Sequence, residues 1–88
     1  MIVGVAIRSE TIMVMLPKPN RHCNCFWHLK EIGISAVKNH IGLKKHDQGF
    51  YTHTGKYLDR EQAFKYVKRI KQDVIGKPKH CLFSEDLW

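Results

Sequence analysis

The densest concentration of chemically capable side chains is His22, Cys23, Cys25 and His28, with His80 and Cys81 near the far end of the chain. On a helix, His22, Cys25 and His28 recur every third residue and share a face. With His80 or Cys81 as a fourth ligand they would offer the nitrogen and thiolate set that Zn²⁺ takes in a tetrahedron. Zinc fingers and ribbons, however, carry paired knuckles at set separations, and this spacing reproduces none of them. Cysteine is also among the most frequently buried residue types, so Cys25 reads as core. Neither a metal nor any other cofactor is expected.

A second chemistry would use His22 as a general base oriented by Glu85 or Asp86, which would make the chain a small nucleotide-processing hydrolase. No Gly-x-Ser-x-Gly elbow or His-Glu-x-x-His helix accompanies these residues, and no catalytic residue is assigned. Gly49 to Lys56 ends in Thr-Gly-Lys, yet five residues separate the two glycines where a phosphate loop has four. Tyr57 also stands where that loop needs Ser or Thr.

The third chemistry is electrostatic. Lys65, Lys68 and Arg69 fall on the outer side of an amphipathic segment, and Lys44, Lys45, Lys77 and Lys79 could join them in one surface. Tyr51, Tyr57 and Tyr66 lie close enough in sequence to supply stacking surfaces for bases. Fifteen Lys and Arg against eight Asp and Glu give a net charge of +7, which accelerates association with anionic partners. The same excess excludes an acidic mimic of DNA. No helix-turn-helix, zinc-finger or ribonucleoprotein signature points to sequence-specific reading.

These side chains must be positioned by a small scaffold. Eighty-eight residues allow one domain, residues 1–88, with a single core. Ile2–Arg8 and Thr11–Leu16 are apolar runs separated by Ser9-Glu10, which predicts an antiparallel hairpin of central strands covered on both sides. Pro17 to Pro19 stops the second strand, and Asn20 can cap a helix over residues 21–32, with Cys25, Leu29 and Ile32 as its buried stripe. Residues 34–48 read as a long loop with one helical turn near Ser35–Asn39. Gly49–His53 and Lys56–Leu58 predict a second short hairpin.

The clearest element follows. Asp59 with Gln62 approximates a capping box, and Ala63, Phe64, Val67 and Ile70 form one apolar stripe that stops near Asp73. Cys81–Phe83 suits a final strand. Leu87 and Trp88 suit a docking tail whose acids would pair with Arg60 or Arg21. The fold class is therefore α+β: hairpin, helix, short hairpin, amphipathic helix, and a C-terminal tail packed on the sheet. Apolar residues on both sheet faces with only two helices predict a homo-oligomer. Arg8 and Glu10 break the first apolar run, so no membrane span or signal peptide is expected, and the three cysteines are expected to be reduced.

The chain also resembles a family of short proteins encoded by tailed phages and prophages. The resemblance rests on Pro17 or Pro19 before Arg21-His22, Gly49-Phe50-Tyr51-Thr52, Gly55, Asp59-Arg60-Glu61 with Ala63, and Ser84-Glu85-Asp86-Leu87-Trp88. It implies a viral accessory protein in the host bacterial cytoplasm, directed against host defences. It also marks His22, Arg60, Glu85 and Asp86 as site residues, either in ligand contact or in an internal polar network. With Arg21, Lys65, Lys68 and Arg69 these make the binding set of a non-enzymatic inhibitor. The expected partner is anionic: a nucleotide, a nucleic acid or a host defence protein; the further alternative to the hydrolase is a protein-interaction module with no nucleotide role.

Overall fold

A computed structural model describes residues 1–88. β1 (Ile2–Arg8) and β2 (Met13–Pro17) form the first antiparallel hairpin, in register from Gly4 opposite Pro17 to Arg8 opposite Met13. A serine closes the turn in place of Asn-Gly. Ser9 Oγ accepts from the Thr11 and Ile12 amides at 3.2 and 3.0 Å, and the Ser9 amide donates to the Ile12 carbonyl at 2.7 Å. The helix α1 (His22–Glu31) follows, capped at Arg21, one residue later than Asn20, with Asn24 Oδ1 accepting from the Arg21 amide at 2.8 Å. Its buried face is His22, Cys25 and Leu29, whereas Ile32, expected in that stripe, is exposed, as is Trp27.

Residues 33–47 contain the expected turn, with the Asn39 amide donating to Ser35 and the Ile41 amide to Ala36. Ile41 is fully buried and pins this loop to the core. A single 3₁₀ turn, Lys45–Asp47, leads into β3 (Gln48–Thr52), and β4 (Tyr57–Asp59) runs directly into α2 (Arg60–Ile70). The capping box is formed as the sequence predicts: Asp59 Oδ1 accepts from the Gln62 amide at 2.7 Å, and Gln62 Oε1 from the Asp59 amide at 3.0 Å. α2 ends three residues before Asp73, at a left-handed Lys71 (φ 57°). This releases Gln72, whose side chain accepts from the Ile2 amide at 2.8 Å and donates to the Ile2 carbonyl at 3.1 Å, as a neighbouring strand would.

The expected strand at Cys81–Phe83 does not form. The Leu82 amide donates instead to the Arg60 carbonyl at 3.0 Å, and buried Leu82 fills the core. α3 (Ser84–Leu87) follows, capped at Phe83, whose amide donates to Asp86 Oδ2 at 3.0 Å.

The sheet order is β2-β1-β3-β4, with every pair antiparallel. Only β1 and β3 are therefore interior, and β2 is an edge with exposed Met13 and Met15, not the central strand expected. A register shift between Ile2 and Gly4 moves Val3 out of the alternation, so Ile2, Val5 and Ile7 all enter the core, where strict alternation would pair Val3 with Val5. Val5, Phe50 and Leu58 oppose one another across three strands on that side. Cys25 and Leu29 of α1 and Ala63 and Val67 of α2 cover them. Each fully buried large side chain contributes roughly 1.5–3 kcal/mol. α1 and α2 lie on this one face; the opposite face carries Gly4, Ala6, Arg8, Met13, Met15, Tyr51 and Tyr57, and the Lys45–Asp47 turn reaches it at Tyr57, through the His46 carbonyl, and at Arg8, 3.8 Å from Asp47.

Candidate functional site

Charged and polar residues gather in three places. The first is the junction of α1, β3 and the C-terminal turn. His22 opens α1 and is only 7% exposed; its Nε2–H donates to the Gly49 carbonyl at 2.7 Å, and its ring meets Phe50 edge-on at 5.2 Å. Burial lowers its pKa below 6.5, opposed by the Gly49 bond and by the field of Glu85, and reinforced by that of Arg60. Phe50 in turn meets Trp88 edge-on at 6.4 Å. The indole Nε1–H donates to the Asn20 carbonyl at 2.7 Å, and Arg21 Nη2 donates to the Trp88 main-chain oxygen.

The tail acids do not pair with Arg60 or Arg21 as expected. Asp86 accepts from the Phe83 amide at the start of α3, Glu85 is exposed, and neither makes an ion pair with an arginine or a hydrogen bond to His22. The expected docking of the tail is thus made by aromatic edges and main-chain acceptors. The metal set also comes apart: no three histidine, cysteine, aspartate or glutamate side chains gather to hold an ion. Cys25 is buried, and desolvation, with a smaller contribution from Cys23, pushes its thiol up to about 12. His28 is exposed on α1, and Cys81 lies in the loop before α3.

The second place is a hollow of about 230 Å³ at the start of α2, lined by Lys44, Lys45, His46, Gln48, Arg60 and Phe83 among others. Arg60 lies 4.9 Å above the Phe83 ring and donates from Nη2 to Gln48 Oε1 at 3.0 Å, while its Nε is buried without a partner. Lys45 joins Glu61 at 2.7 Å; their hydrogen bond raises the lysine pKa and lowers that of the carboxyl. His46 Nδ1 sits 3.0 Å from Asp59 Oδ2. Carboxylates thus engage two of the basic groups here, and Lys45 does not add a free charge to the lysines of α2.

The third place is α2 itself, where the stripe that buries Ala63 and Val67 leaves Lys65, Lys68 and Arg69 outside, as the periodicity predicts. They divide between two flanks. Lys65 and Arg69 line a hollow of about 290 Å³ with Lys56, Tyr57 and Tyr66, and Lys68 lines one of about 400 Å³ with Lys71 and Lys77. No carboxylate lines either hollow, and none of these six cations takes part in a salt bridge. Lys68 Nζ lies 5.0 Å over Phe64 and the Arg69 guanidinium 5.6 Å over Tyr66, so aromatic faces support the charges without cancelling them. Lys56 and Lys71 were not singled out in the sequence. Their signals are the direct β4–α2 connection beside Tyr57, and the three-residue step from Lys68 past the end of the helix. Lys79 is exposed and lies outside both hollows.

Tyr57 joins this third region to the open sheet face. Its hydroxyl donates to the His46 carbonyl at 2.8 Å, burial pushes its pKa up to about 12, and the Arg8 guanidinium lies 4.1 Å above its ring. No helix is long and apolar enough to cross a membrane. Compared with known families, residues 1–88 match the model described as "Phage T4 y16D protein". No curated protein and no solved structure matches the chain.

Proposed function

The chain belongs to the phage T4 y16D protein family, and from that premise we propose that it acts in the infected bacterium by binding a phosphate-bearing partner without turnover. The observation that carries the reading is the pair of carboxylate-free hollows along α2, each with three cations. Cations without internal partners keep their full attraction for phosphate, and several on one helix add their fields. Arg60, clamped by Phe83 and Gln48, stands with Lys44 at the N-terminal end of the same helix. His22 supports binding over catalysis: its Nε2–H is spent on a backbone carbonyl, and Glu85 and Asp86 make no hydrogen bond to it.

In an infected cell the partners with this chemistry are nucleic acids, the complexes that handle them, and nucleotide signals. Occupying one of these would make the protein an inhibitor of host defence. The test is titration of single-stranded oligonucleotides and nucleotides at low ionic strength, with recovery of the ligand afterwards. Binding that weakens with salt, returns the ligand intact and is lost in the Lys65→Glu/Lys68→Glu/Arg69→Glu variant is expected. No binding at low salt, or turnover that disappears in His22→Ala, would overturn the reading.

A further inference from the structure

The sheet face turned away from the helices has a built feature that the α2 reading does not use. Gly4, Tyr51 and Tyr57 sit opposite one another across β1, β3 and β4 and so point to this same side, with Ala6 and Gly49 one pair further along. A Cβ on Gly4 would come within 2.6 Å of Tyr51 Cζ, and one on Gly49 within 2.9 Å of the Tyr57 hydroxyl oxygen. Each tyrosine therefore lies down over a glycine of the neighbouring strand, and only the missing side chain lets it do so. Ala6, between them, is fully buried beneath this layer.

A ring laid on the backbone turns its second face outward. For Tyr57 the Arg8 guanidinium occupies that face at 4.1 Å and extends the flat surface. Tyr51 is partly exposed, and no other aromatic ring or cation stacks on it.

We propose that this face is a stacking platform for unpaired bases of a single-stranded nucleic acid, with Tyr51 as one position and the Arg8–Tyr57 pair as a second. The proposal rests on the reading of the α2 flanks as phosphate-binding. Tyr57 lines the hollow that holds Lys56, Lys65 and Arg69, so bases on the sheet would leave their phosphates beside three cations with no carboxylate among them. Stacking needs only planar surfaces and is indifferent to base identity, which fits a chain with no base-reading motif. Charge complementarity favours this occupant over a second copy of the chain, whose Lys56 would be brought towards its own counterpart; Arg8, with Asp47 Oδ1 3.8 Å from its Nε, adds flat surface and not a free charge.

The test compares a labelled single-stranded oligonucleotide with an abasic oligomer of the same length, by fluorescence anisotropy at low salt, for the full chain, Tyr51→Leu and Tyr51→Phe. Leucine keeps apolar cover over Gly4 and removes the ring; phenylalanine keeps the ring. Expected are tighter binding to the base-bearing strand, roughly tenfold weaker binding of that strand by Tyr51→Leu, no change for the abasic oligomer, and wild-type behaviour in Tyr51→Phe. Equal affinity for both oligomers would overturn the platform and leave the α2 reading standing. Binding of neither would overturn both. A dimer in sedimentation that Tyr51→Leu splits, with no preference for bases, would assign the face to a second copy and overturn the proposal.

Discussion

The junction of α1, β3 and the C-terminal turn and the surface of α2 are both rich in basic and aromatic residues, and they use them in opposite ways. At the junction the groups turn inward: His22 has Gly49, Arg21 Nη2 has the Trp88 main-chain oxygen, the Trp88 indole has the Asn20 carbonyl, and Phe50 lies between His22 and Trp88, with Arg21 Nη1 alone buried without a partner. Along α2, Lys56, Lys65, Lys68, Arg69, Lys71 and Lys77 have no carboxylate partner. The arginine and histidine whose motif carries the resemblance thus tie α1 to the tail and to β3, while the residues left for a partner are five lysines and Arg69, none at a position that carries the resemblance. A polar cluster is therefore a candidate site only after its internal bonds have been counted.

The sharpest way to break this contrast is at Phe50, which is fully buried between His22 and Trp88. Phe50→Ala is expected to lower unfolding free energy by about 3–5 kcal/mol in urea titrations. A loss under 1 kcal/mol would deny the junction its structural role. Gly49→Ala comes next: its Cβ would lie 2.9 Å from Asp59 Cα, a backbone atom that cannot swing aside, and a loss of roughly 1–3 kcal/mol is expected. Thermal melting of this variant near the wild-type midpoint would show that β3 and β4 can separate there without cost.

A smaller effect concerns acid. The folded protein holds His22 below the 6.5 of the unfolded chain, so the unfolded state binds more protons as pH falls through that region. The contribution of neutral His22 is complete above pH 6.5 and is lost progressively below it. His22→Gln can still donate to Gly49 but does not titrate, and its stability is expected to decline less between pH 6.5 and 5 than that of the wild type. Parallel stability curves for the two proteins would remove burial of the ring from the account. Smallest of all, the triple α2 reversal is expected to change folding free energy by no more than about 0.5 kcal/mol.

Much of the scaffold was legible because it is local. Asp59 and Gln62 are three residues apart, the α2 stripe repeats with the helix, and the two hairpins are apolar runs separated by short polar turns. What escaped depends on distant pairings. His22 becomes an interior group only because a carbonyl 27 residues away receives it, and Lys45 leaves the basic surface because a loop carries it to Glu61. The Val3 irregularity, which decides which residues of β1 enter the core, follows from pairing with β3 across about 45 residues of chain. The lysines of α2 could be placed on its outer face from periodicity, but their freedom from carboxylates required the positions of all eight acids.

The central claim is that the cations along α2 are free for phosphate while the junction serves only the fold. It is tested most directly by the salt dependence of oligonucleotide binding in the wild type and in the Lys65→Glu/Lys68→Glu/Arg69→Glu variant, with melting followed in parallel. Three phosphate contacts to a single strand give a log–log slope of about −2, or roughly a 20-fold loss between 50 and 200 mM salt. The variant is expected to melt with the wild type and to show neither the affinity nor the slope. An unchanged slope in a variant that remains folded would contradict the claim.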